Sequence, residues 1–139
     1  MRVTEYSLVL AVKHPDADLS ALPRELDLTA KRVWKADDPR TTPAGIPLSG
    51  RYRESYCCLQ VEQTPQASLS RAIGVFLDHL RPRRGAVERV CATGGAIELI
   101  VHWYSPGNTG EDFPPSLLGA LADMNIALGL DIYGDKPLD

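Results

Sequence analysis

PPSLLGALADMNIALGLDIYGD, residues 114–135, decides the fold. Pro115 suits a first helical turn and Leu117, Leu118 and Leu121 form one apolar stripe. Leu128, Leu130 and Ile132 then alternate with Gly129, Asp131 and Tyr133. The spacing predicts a helix over residues 116–124 feeding a strand over residues 128–133, with Asp131 and Tyr133 turned away from the side that holds the leucines.

The same two periods recur upstream. Residues 6–12, 56–63 and 96–104 alternate as strands, the last with Ile97, Leu99, Val101 and Trp103 on one side and Glu98, Ile100, His102 and Tyr104 on the other. Residues 69–80 carry Leu69, Ala72, Ile73, Phe76, Leu77 and Leu80 on one helical face behind a Ser68 cap, and residues 86–92 read as a shorter helix offering Val87, Val90 and Cys91 to the core. Near the start, Leu19, Leu22 and Leu26 share the face of a short helix that Asp16 or Asp18 would cap. Residues 36–51, with three prolines, two glycines and no period, read as one extended loop.

The order β, α, loop, β, α, α, β, α, β predicts an α+β two-layer sandwich: a mostly antiparallel sheet of four or more strands with helices mainly on one face. At 139 residues the chain suits a single domain, 1–139, that folds without a disulfide or a metal. The open sheet face then collects Tyr56, Gln60, Glu62, Glu98, His102, Tyr104, Asp131 and Tyr133. Such a face is either a solvated surface with ordinary cross-strand pairs or an interface, since tyrosines among acids are favoured at interfaces. Trp34, in a charged stretch between Arg32 and Asp37, either folds back over the edge of the core or anchors a partner.

Composition narrows the function. A formal charge of −3 argues against a non-specific nucleic-acid binder and favours a basic partner. No apolar run reaches bilayer length and residues 1–12 lack signal-peptide character, so a cytoplasmic protein without membrane contact is expected. Nucleophile-elbow, P-loop, dinucleotide, zincin and EF-hand motifs are all missing from the chain. Cys57, Cys58 and Cys91 have no metal-ligand spacing and read as structural thiols, and no cofactor or metal is expected. Arg81, Arg83 and Arg84 would suit a phosphate or a solvated helix exit. His102 and Glu98 share a strand face but lie about 13 Å apart along it at ~3.3 Å per residue, too far for a direct hydrogen bond.

LDLTAKRVWKADDPR (residues 26–40), Gly45 and Pro47, the strand at Tyr56 and LLGALADMNIALGLDIY (residues 117–133) together resemble the bacterial family called domain of unknown function 4279. The likeness rests on Leu28, Thr29, Trp34, Lys35, Asp37, Gly45, Asp131, Ile132 and Tyr133. Ala36 departs from it where glycine is common in a W-K-G-D turn, and Tyr56-Cys57 where tryptophan is common, which puts the turn's conformation at issue. The resemblance implies a small cytoplasmic α+β protein without established catalysis, similar to the immunity partners of secreted bacterial toxins.

Two classes of function follow. In the first the chain is no enzyme but a binding module, an immunity protein that neutralises a cognate, basic toxin as a monomer or weak dimer. Its candidate contact residues are Trp34, Asp37, Asp38, Tyr56, Glu98, His102, Tyr104, Asp131 and Tyr133. In the second it is a small-molecule binder or small enzyme using the His102/Glu98 face. A deep pocket beside His102 would favour the second, a broad flat patch the first.

Overall fold

A computed structural model describes residues 5–62 and 67–134. In chain order the elements are β1 (Glu5–His14), α1 (Leu22–Leu26), β2 (Thr29–Trp34), β3 (Pro39–Thr41), β4 (Pro47–Arg51), β5 (Ser55–Val61) and α2 (Leu69–Leu80). A 3-10 turn (Arg81–Arg83), α3 (Arg84–Ala92), β6 (Ala96–Tyr104), α4 (Pro115–Asp123) and β7 (Ile126–Tyr133) complete them. Five strands make one sheet in the order β2-β5-β1-β6-β7, and β3 and β4 pair separately. Every neighbour in the large sheet is antiparallel except β6 and β7, which run parallel because α4 carries the chain back between them. The α+β sandwich with a mostly antiparallel sheet is thus what the chain adopts.

One side of each inner strand supplies the core. Leu8, Leu10 and Val12 of β1, Cys57, Leu59 and Val61 of β5 and Ile97, Leu99, Val101 and Trp103 of β6 are buried against the helices. From α2 come Leu69, Ala72, Ile73, Phe76, Leu77 and Leu80, the six residues whose spacing marks its inner face, and Ser68 caps it by accepting from the Arg71 amide at 3.2 Å. Pro82 ends α2 without sending the chain away, since the 3-10 turn leads directly into α3. The three arginines at this junction are held by carboxylates: Arg81 by Asp78, Arg83 by Asp27 at 3.6 Å, and Arg84 by Glu88 and Asp123 at 2.9 and 3.2 Å.

His14 closes the other end of β1. Its ring is 3% exposed, Nδ1 accepts the amides of Asp16 and Ala17 at 3.1 and 2.9 Å, and Nε2 lies 2.8 Å from the Thr93 hydroxyl. A nitrogen that accepts two amides carries no hydrogen, so the tautomer is Nε2–H donating to Thr93. The ring thereby ties the exit of β1 to the end of α3. Beside it Gly95 leaves no room for a side chain: a Cβ there would sit 2.5 Å from Val90 Cγ1 and 2.7 Å from the Val90 carbonyl oxygen.

Several expectations need correction. The charged stretch around Trp34 is in part a strand, residues 29–34, and a register shift between Ala30 and Arg32 breaks the alternation that would reveal it. Within residues 36–51, β3 and β4 form a hairpin whose strands are too short and too exposed to show a period. Ala21, not Asp16 or Asp18, occupies the cap of α1, because the Asp18 carboxylate accepts the Ser20 amide in a preceding turn. Leu118 faces outward at 45% exposure, and Leu130 and Ile132, on the leucine side of β7, are 44% and 66% exposed because that half of the strand has no cover. The last residue of the strand expected over residues 56–63 lies outside the described residues.

Candidate functional site

The sheet face away from the helices is built by register. Across its middle run Val9 opposite Gln60 and Ile100, and Ala11 opposite Cys58 and Glu98, with Gly129 and Ala127 continuing the rows on β7. Val9 and Ala11 are buried there, and Glu98 lies over Gly129 with its carboxylate 2.7 Å from where a Cβ would be. At two opposite corners the face rises into aromatic clusters.

The first corner joins β1, β6 and β7. Parallel pairing sets His102 opposite Asp131 and Tyr104 opposite Tyr133, while β1 sets Ser7 opposite His102. Asp131 Oδ2 lies 3.7 Å and the Tyr133 hydroxyl 3.4 Å from His102 Nδ1, and the Tyr104 and Tyr133 rings meet at 5.5 Å between centroids. Ser7, His102 and Asp131 therefore stand in one row across three strands. The Ser7 hydroxyl pairs with that of Tyr104 at 3.2 Å. The row is a polar cross-strand lattice. Glu98, on the same strand face as His102, lies over Gly129, and the carboxylate that the fold brings to His102 is that of Asp131.

The second corner joins β2, β5 and the hairpin. Trp34 stacks on Tyr52 with centroids 4.3 Å apart and meets Tyr56 at 4.7 Å, while the Arg32 guanidinium lies 4.7 Å from the Trp34 ring centre. The Trp34 indole donates to the Glu54 carbonyl at 3.0 Å. Trp34 is thus neither over the edge of the helical core nor free: it is the middle of a small aromatic stack. Burial pushes the Tyr56 hydroxyl up to about 12, with neighbouring Cys58 adding to the effect. Tyr52 fixes the hairpin, since its hydroxyl donates to the Thr41 carbonyl and accepts the Thr41 amide, and this bonding lowers its pKa.

Asp37 and Asp38 act locally through the backbone at the base of that hairpin. The Asp37 amide donates to the Tyr52 carbonyl at 2.8 Å, the Tyr52 amide to the Asp38 carbonyl at 3.0 Å, and the Asp38 carboxylate accepts the Lys35 amide at 3.3 Å. The left-handed residue of this turn is Asp37, at φ 74°, so Ala36 needs no glycine in its place.

The nine candidate residues therefore fall into two groups at opposite edges of the sheet. Trp34, Asp37, Asp38 and Tyr56 lie at the hairpin end, and Glu98, His102, Tyr104, Asp131 and Tyr133 at the β6–β7 end. Charge divides with them. Residues 31–54 hold six Lys and Arg against three Asp and Glu, whereas Glu5, Glu98 and Asp131 mark the other end. Tyr52 and Arg32 were not anticipated as members of the site. The sequence signal was an aromatic flanked by arginines, RYR at residues 51–53, inside a proline- and glycine-rich stretch.

Two concave features lie elsewhere. A groove of about 960 Å³ runs between α2 and the β2–β5 end of the sheet, lined by Thr29, Gln60, Val75, Phe76 and His79 among others, and a cavity of about 210 Å³ adjoins His14. Neither touches His102. Among the described residues no group of three His, Cys, Asp or Glu side chains is arranged to hold a metal ion, and no helix is long and apolar enough to cross a membrane.

A family model described as "Domain of unknown function (DUF4279)" matches residues 4–135. No curated protein and no solved structure matches the chain.

Proposed function

Since the chain belongs to the DUF4279 family, whose description assigns no activity, we propose from its surface that it is a non-catalytic binding module, an immunity protein that neutralises a cognate bacterial toxin by direct contact. The observation that carries this reading is the sheet face away from the helices, where Tyr104 and Tyr133 stand beside Asp131, Glu98 lies farther along β6, and no helix among the described residues covers them. Partly exposed aromatics provide contact area at low entropic cost, and the acids beside them steer a basic partner into place. The hairpin end adds arginines and a rigid aromatic stack, so the toxin surface would present basic groups to the β7 side and carboxylates to the hairpin side. The expected contact residues are the nine of the two groups, joined by Arg32 and Tyr52.

The test is co-production with the toxin domain encoded beside this gene. Growth arrest relieved by the wild-type chain, and not by Tyr104→Ala combined with Glu98→Lys in a folded variant, supports the reading. Undiminished protection by that variant removes the face from it, and failure of the wild-type chain to protect or to bind removes the function.

One observation favours a second reading. The groove beside Phe76 and His79 is of ligand-binding size. A small molecule held there would raise the melting temperature and be lost on Val75→Trp, with the open face untouched.

A further inference from the structure

The two edges of the large sheet are built differently. β2 is guarded: its register shifts between Ala30 and Arg32, and Lys31 and Arg32 lie on the strand, features that discourage pairing with another chain. β7 has none of this. IALGLDIY holds no Lys, Arg or Pro, pairs with β6 without a register shift, and has no neighbour on its far side among the described residues. The Tyr133 carbonyl accepts the Ser105 amide at 2.8 Å, so odd-numbered residues of this parallel ladder turn their N–H and C=O toward β6. Those of Leu128, Leu130 and Ile132 consequently point outward. The same stretch carries Leu130 and Ile132 at 44% and 66% exposure.

We propose that β7 pairs antiparallel with β7 of a second copy, about a two-fold axis at Ile132. Outward-facing residues must pair with each other, which places the axis on a residue; in the exposed half of the strand, before its last residue, these are Leu130, Asp131 and Ile132. An axis at Asp131 opposes two carboxylates directly. One at Leu130 brings Asp131 of the second copy opposite Gly129, where the Glu98 carboxylate already lies. An axis at Ile132 avoids both: Asp131 meets Tyr133 of the second copy, a carboxylate beside a hydroxyl donor, Leu130 meets Gly134, and Ile132 meets its own equivalent. About six backbone hydrogen bonds would form, and the most exposed apolar side chain of the strand would be covered on both copies. The occupant is a second copy because this register satisfies the strand's one charge, its outward backbone groups and its exposed isoleucine with the same strand. The result is a continuous ten-stranded sheet with the two His102 corners flanking the axis. This pairing stands independently of the toxin reading.

Sedimentation velocity of the full chain from about 1 to 200 µM tests it. A concentration-dependent dimer is expected, with its dissociation constant raised at least about 100-fold by Ile132→Lys. Leu130→Pro removes an outward amide without touching the β6 ladder and should weaken the dimer likewise. Ile46→Lys replaces an isoleucine of similar exposure, 61%, on the hairpin side and should leave the dimer intact. Circular dichroism confirms that each variant folds, and if Leu130→Pro does not, Ile132→Lys decides alone. A monomer throughout the range, a dimer indifferent to Ile132→Lys, or one lost equally with Ile46→Lys overturns the proposal.

Discussion

Phe76 and Leu130 both occupy apolar positions in periodic segments, yet their surroundings differ: Phe76 is 5% exposed beneath the sheet and Leu130 is 44% exposed. Phe76→Ala should therefore cost about 3–5 kcal/mol, through lost transfer energy and a residual cavity. Leu130→Ala should cost under about 1 kcal/mol, because little burial is lost at an uncovered site. Urea unfolding of dilute protein compares them, and equal losses would mean that the second half of β7 is covered. Cys57 and Tyr56 predict an alkaline limit. Burial pushes the Cys57 thiol, with help from Cys58, from about 9 to about 12, and Tyr56 moves from 10 to about 12. Between these values the unfolded chain has released protons that the native chain retains, so stability falls as pH rises from about 9 toward 12. Thermal unfolding across that window checks it, and a flat melting temperature would contradict it. Within the fold at neutral pH, Cys57 should also resist thiol reagents until the protein unfolds.

At the level of elements, legibility followed burial. β1, β6 and α2 each have one covered face, so hydrophobic alternation or helical spacing marks them directly in the sequence. β2 is a bulged edge strand and β3–β4 a short exposed hairpin, and neither needs a patterned apolar face. The site was half legible for a related reason. Tyr104, Tyr133, Glu98 and Asp131 could be assigned to outward faces by parity alone. The meeting of His102 with Asp131 depends on β6 and β7 being parallel neighbours, and that of Trp34 with Tyr52 on the hairpin folding back across 18 residues; no local pattern encodes either. Since Trp34 and Tyr52 join the hairpin to the sheet, Trp34→Ala should loosen that element more than the core. Hydrogen exchange at the Asp37, Thr42 and Tyr52 amides should quicken at least about tenfold while Leu10 and Leu99 stay protected. Unchanged exchange at the hairpin would mean that its own backbone bonds suffice.

The whole molecule couples a helix-covered core to an uncovered, electrically divided face. A net charge of −3 conceals this division, because the surplus of bases in residues 31–54 is outweighed by acids elsewhere. A partner matched to such a face would be oriented before contact, with the Glu98–Asp131 end attracting its basic side. Acids at this end should act mainly on the rate of encounter, and partly buried aromatics on the lifetime of the complex. The most direct measurement is therefore the binding kinetics of the proposed toxin partner with surface-immobilised wild-type, Tyr104→Ala and Glu98→Lys/Asp131→Lys chains at low and at physiological salt. The account predicts a dissociation rate raised roughly 30-fold by Tyr104→Ala, and an association rate slowed by the charge reversals at low salt, with the difference shrinking as salt rises. Wild-type association and dissociation for all folded variants would contradict it.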